Sequence, residues 1–318
     1  MKLNTFQIIT AVIAFCIVMI LGEYVSVILQ KLRFLSDSTE TDNSPQRLPV
    51  SGSVMPAAAS FTAAAAGYAV MKYSSESLNS GTNSSGLFFA GQIIILLSFA
   101  CGFYSDLLRS RGKKGGMSKS TEIISMGMLC ICFLILKYII APDERILKIP
   151  FAGERSTGIY FFPICFVVMM LTLHCVSYSS EKHSGTAMSA VVFSGAASVF
   201  SVIGASDFGL FYSAAAGAAM AFFFLNYPRI NILPGRSGAL FAGMAAAVAA
   251  VSSKMTIYIL IMLLPFFFLR VRGCFPKKEN KRNIKMNYEK REALKTAACF
   301  ASAAVCVLAA YELQILGV

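Results

Sequence analysis

The chain of 318 residues is 56% hydrophobic and only 14% charged, with a mean hydropathy of +0.66, whereas a soluble domain carries about a quarter charged residues. These values exclude an ordinary soluble domain. Continuous Ala-, Leu-, Ile- and Phe-rich runs in place of alternation exclude a barrel, and a net charge of +12 without an aromatic–basic motif excludes a nucleic-acid partner.

The first run, "MKLNTFQIITAVIAFCIVMILGEYVSV", has one basic residue, no A-x-A cleavage site and an apolar stretch too long for a signal peptide. It reads as a spanning helix over 5–29. Further apolar runs predict helices over 54–71, 86–104, 121–140, 158–177, 186–204, 208–226, 237–252, 255–270 and 293–313, the eighth and ninth being short for a bilayer of about 30 Å. The expected fold class is an all-α polytopic integral membrane protein of about ten transmembrane helices, forming a single domain over 1–318.

The connections alternate in charge. Odd-numbered ones carry 20 Lys and Arg residues and even-numbered ones carry 5, namely Lys72, Arg145, Lys148, Arg155 and Lys254. The positive-inside rule then places both termini extracytoplasmic and the loops near 30–53, 103–120, 178–185, 227–236 and 271–292 in the cytoplasm. The positive charge reads as topology and contact with anionic membrane lipids.

Nine cysteines lie almost entirely inside apolar runs, none in a C-x-x-C pair, and only two histidines, His174 and His183, are present. That pattern reads as small core residues rather than a metal cluster. Stretches such as "PAAASFTAAAAGYAV" and "GALFAGMAAAVAA" allow close helix approach in lipid. No internal repeat supports a transporter, and ionisable residues such as Glu23, Lys137 and Glu312 sit towards span ends.

Three segments carry a resemblance. "GFYSDLLRSRGKKGGMS", "ILKIPFAGERSTGIYFFP" and "FFFLNYPRINILPGRSGALFAG" follow one another along the chain. In that order they resemble motifs of the polyprenyl-phosphate N-acetylhexosamine-1-phosphate transferases, closest to the phospho-N-acetylmuramoyl-pentapeptide transferase (MraY-type, translocase I) branch. The resemblance implies a ten-helix membrane enzyme of bacterial cell-wall (peptidoglycan) synthesis. Such an enzyme moves a phospho-sugar from a UDP-sugar to undecaprenyl phosphate with magnesium at a cytoplasmic site.

It also implies what is missing. The family's paired aspartates read Ser105-Asp106, and its magnesium-ligating aspartate falls on Arg236, ten residues after Asn226. Two further aspartates become Ser180 and His183, the triple-histidine loop lies opposite "FPKKENKRN", and the lysine-bearing loop reads "LPVSGSVMPAA". Gathering about four negative charges requires a divalent cation in such transferases, and a guanidinium at 236 opposes one.

Asp106 is therefore either a remnant catalytic carboxylate or an interfacial group paired with Arg109 at i+3. Arg109 and Arg236 are either phosphate contacts or headgroup contacts. Gly235 and Ser237 open the eighth span, where free N–H groups would meet an anion. Asn226 is a cap or a ligand contact, and Glu181 belongs to a substrate-facing or solvated loop.

The expectation is a catalytically inactive paralogue in the bacterial inner (plasma) membrane with no cofactor. It would bind undecaprenyl phosphate or another anionic lipid, or partner an active transferase as a homodimer or mixed dimer. The alternative is an active transferase of a phospho-N-acetylhexosamine that uses magnesium.

Overall fold

The computed structural model describes residues 2–32, 49–74, 82–111, 116–142, 146–149, 153–180, 193–199, 207–226, 232–273, 297 and 301–312. Its helices are α1 (Lys2–Lys31), α2 (Val54–Ser74), α3 (Thr82–Ser110), α4 (Lys119–Ile140), α5 (Phe161–Ser180), α6 (193–199), α7 (Asp207–Leu225), α8 (Gly235–Ser252), α9 (Thr256–Gly273) and α10 (Ala301–Glu312). Six of the described helices are long and apolar enough to cross a bilayer. The chain is a mostly helical, multi-pass membrane protein.

One element departs from an all-α expectation. Between α4 and α5, β1 (Ile146–Ile149) and β2 (Gly153–Ser156) pair antiparallel, Ile146 opposite Ser156 and Ile149 opposite Gly153. Gly153 sits at φ +75°, a conformation glycine enters without a steric penalty. Leu147 is 3% exposed and anchors the hairpin, while Lys148 N donates to Lys254 O at 2.9 Å in the α8–α9 turn.

α3 also outruns its expected end at 104, continuing to Ser110. Its last turns carry Ser105, Asp106 and Arg109, which read from sequence as the polar end of a span. The helix persists with Ser105 and Asp106 finding partners inside the bundle, in Met117 N and Arg236 N.

α8 is the centre of the molecule. Every residue of it except Arg236 is buried, and it packs between α3 and α5, with α9 and α2 also against it. Small residues permit this: Gly91 and Gly102 of α3 face Val248 and Ser237, and Gly243 faces Leu173 of α5. Tyr212 of α7, fully buried, donates to Ala246 O at 2.9 Å, and Ser98 of α3 donates to Leu240 O at 3.1 Å.

Both ends of α8 meet charges of the sign its dipole favours. A carboxylate from α3, Asp106, lies at the N-terminus. At the C-terminus the buried Lys137 of α4 donates from Nζ to Val251 O at 3.1 Å, with its ammonium 5.5 Å from the Phe161 ring centroid. A helix of low hydropathy is thus held by its neighbours as much as by its own apolar surface.

Close packing of α3 on α8 gives a direct test. A Cβ at Gly102 would lie 2.6 Å from Ser237 Cα and 2.9 Å from Arg236 O, so backbone must move. Gly102→Ala is expected to lose about 1–3 kcal/mol of stability by overpacking, read as a lower unfolding midpoint in detergent. Gly127→Ala on α4, where nothing lies within 4 Å, is the matched control and is expected to be neutral or mildly stabilising. Equal behaviour of the two variants would contradict the α3–α8 contact.

Candidate functional site at the Asp106 end

Segments far apart in sequence meet where α3 ends and α8 begins. Two loops run side by side: Gly52 N donates to Leu233 O and Leu233 N to Pro49 O, both at 2.9 Å. Asn226, at the end of α7, fixes the turn into α8. Its Nδ2 donates to Phe222 O at 3.0 Å and its Oδ1 accepts from Ile232 N at 2.9 Å. These contacts assign Asn226 a capping role in the geometry present.

α8 has no side-chain cap of its own, because Pro234 stands at its N-cap position. Asp106, 3% exposed, supplies one from α3. Its Oδ1 accepts from Arg236 N at 2.9 Å, and its Oδ2 from Ser237 N at 3.0 Å, Ser237 Oγ at 2.8 Å and Ser51 Oγ at 2.8 Å. Those two N–H groups are the second and third of the helix, the pair an N-cap side chain normally satisfies.

The surrounding backbone is shaped to admit this carboxylate. Gly235 has φ +73°, and a Cβ there would stand 2.6 Å from Asp106 Oδ2. Ser51 also has a positive φ, 69°, a conformation costing about 1–2 kcal/mol for a residue with a side chain. The Ser51–Asp106 hydrogen bond offsets that cost. Ser53 Oγ lies 2.8 Å from Ser237 Oγ and extends the hydroxyl network.

Arg236 points away from Asp106. Its Nε donates to Glu122 Oε1 at 2.8 Å and its Nη2 to Glu122 Oε2, a two-pronged pair with the first turns of α4. The α4 N-terminus itself is capped by Ser118, whose Oγ accepts from Thr121 N at 3.2 Å. Arg109, one turn beyond Asp106, makes no ion pair with it. Its buried Nε has no hydrogen-bond partner. Glu181 lies outside the described residues, as do Lys182 and His183.

The structure thus brings Asp106, Gly235, Arg236, Ser237 and Asn226 to one end of the bundle, with Arg109 beside them on α3. The anion-binding N–H groups expected at the start of α8 are present and carry Asp106 itself. Three participants went unnoticed in the sequence: Ser51, Ser53 and Glu122. Glu122 had a signal, being an acid inside the apolar run of the fourth span. Ser51 and Ser53 had none beyond falling in the loop "LPVSGSVM".

The donor set does not suit magnesium, which wants several hard oxygens in near-octahedral array. Both Asp106 oxygens are taken by N–H and O–H donors, and Glu122 is engaged by a guanidinium. A cation placed against Asp106 would face the positive end of α8. Among the described residues no group of three His, Cys, Asp or Glu side chains is gathered. No known family model matches the chain.

Proposed function

We propose that the protein is a phospho-sugar-transferase-like membrane protein that has exchanged transferase chemistry for a purely structural use of the same site. In this reading it spans the bacterial plasma membrane ten times with both termini outside, and its Asp106 end faces the cytoplasm. Its role is to hold polyprenyl phosphate or a similar anionic lipid, alone or beside an active transferase in cell-envelope glycan synthesis.

The observation that carries the proposal is the Asp106 carboxylate, spent on four hydrogen bonds, three from the start of α8 and one from Ser51. A catalytic base or metal ligand needs a lone pair facing substrate or metal, and this carboxylate faces helix and hydroxyl donors instead. The spatial convergence of the resembling segments, "PVSGS", "GFYSD", "FFFLN" and "PGRSG", supports the family likeness beyond their order in the chain. With Arg236 turned to Glu122, a cation placed to meet a lipid phosphate is Arg109, whose buried Nε has no hydrogen-bond partner.

Native mass spectrometry in the presence of undecaprenyl phosphate or uncharged undecaprenol tests the binding role. Retention of the phosphate form alone, weakened in Arg109→Gln, is the expected result. Equal retention of both lipids, or none, would overturn the binding role.

A further inference from the structure

At the end of the bundle opposite Asp106, α4 and α5 splay to leave a groove of about 620 Å³. Ile131, Ile135 and Tyr138 of α4 form one wall, and Phe162 and Phe166 of α5 the other, with Ile159 at the hairpin end. All these side chains are large, and no glycine, alanine or serine is among the described residues that line the groove. Helix partners in lipid are admitted by small residues that let backbones approach, and the contacts of α8 in this same chain follow that rule. A wall of Ile, Leu, Phe and Tyr side chains leaves instead a ridged slot for hydrocarbon.

Charge and aromatics mark one end of the slot. Ile159 and Tyr160 stand 77% and 72% exposed on the turn between the hairpin and α5, as side chains do when they rest in the membrane interface. Four residues before Ile159, Arg155 is exposed on β2, opposite the buried Leu147. Lys148, the other described cation of the hairpin, is half-buried on β1. Among the described residues of the hairpin, Arg155 is thus the exposed cation on the stretch of chain that leads to Ile159 of the groove.

We propose that this groove is a specific site for an anionic membrane lipid, one hydrocarbon chain lying between α4 and α5 and its phosphate meeting Arg155. The site lies in the leaflet on the hairpin side and is independent of the function proposed for the Asp106 end. It places a lipid against Phe162, whose ring packs on Tyr138 with centroids 5.7 Å apart. Phe162 is the chain neighbour of Phe161, over which Lys137 sits.

The chain contains no tryptophan, so a single introduced one reports on one place. Phe166→Trp, and separately Ile135→Trp, would be reconstituted in phosphatidylcholine vesicles containing either brominated-chain phosphatidylglycerol or brominated-chain phosphatidylcholine. Ile20→Trp on α1, at a position 66% exposed, serves as the bulk-lipid control. The groove tryptophans are expected to favour the anionic lipid about fivefold, the effect of one arginine near an anionic headgroup, and the control to show no preference. Adding Arg155→Gln is expected to abolish the preference while leaving quenching by both lipids intact.

Equal quenching by the two lipids in the groove would overturn the proposal. Weak quenching by both, with cross-linking between copies carrying Ile135→Cys, would also overturn it and assign the groove to a second copy of the chain.

Discussion

Asp106→Ala is expected to lower the stability of the protein by about 2–4 kcal/mol, and Asp106→Asn to recover part of that loss. Alanine leaves Arg236 N, Ser237 N and Ser51 Oγ without an acceptor. Each buried orphan costs about 1–3 kcal/mol in water-soluble proteins, hydrogen bonds in membrane proteins average nearer 0.6 kcal/mol, and a helix cap alone is worth about 1 kcal/mol. Asparagine keeps one oxygen for the helix N–H groups but loses the charge that α8's dipole favours. Reversible unfolding in mixed micelles reads the difference. If Asp106→Ala unfolds at the same denaturant concentration as the native chain, the carboxylate is not a structural cap and a chemical role returns.

The second large effect lies in the Arg236–Glu122 pair, and it is asymmetric. The Glu122 side chain is 5% exposed and that of Arg236 25%. Arg236→Ala strands a buried carboxylate at the start of α4 and is expected to cost about 3 kcal/mol, the low end for breaking a buried pair because Arg236 is partly solvated. Glu122→Ala leaves an arginine that can swing to water or headgroups and is expected to cost about 1 kcal/mol. The double variant Arg236→Ala/Glu122→Ala is expected to be more stable than Arg236→Ala alone, giving a coupling energy in a double-mutant cycle. Equal costs for the two single variants would contradict the burial of Glu122.

Much of the architecture was written in the apolar runs. α2, α4, α7 and α9 begin within two residues of where the hydrophobic runs begin, because in lipid the backbone of a spanning segment must satisfy its own hydrogen bonds as helix. α8 was the least conspicuous run and is the most buried helix. Its Ala and Gly residues lower its hydropathy, and the same small side chains let α3 and α5 close over it. The hairpin escaped because four-residue strands within "ILKIPFAGERS" leave almost no periodic signal.

The candidate site was half legible. The resembling segments named Asp106, Gly235, Arg236, Ser237 and Asn226, and these do meet. What each one touches was not legible, since Asp106 and Ser237 are 131 residues apart and nothing local tells a carboxylate to cap a distant helix. The i+3 spacing offered Arg109 as Asp106's partner, but the open N-terminus of α8, behind Pro234, won that carboxylate. Arg236 then found its counter-ion on a third helix, at Glu122.

The central claim is that the carboxylate end of this bundle is architecture rather than chemistry. The most direct measurement is a radiolabelled transfer assay on the purified protein with undecaprenyl phosphate, a panel of UDP-N-acetylhexosamines including the muramoyl-pentapeptide form, and magnesium or manganese, run beside an authentic transferase. The account predicts no lipid-linked product with any donor, from a protein whose folding depends on Asp106. Metal-dependent product that disappears in Asp106→Asn would contradict it.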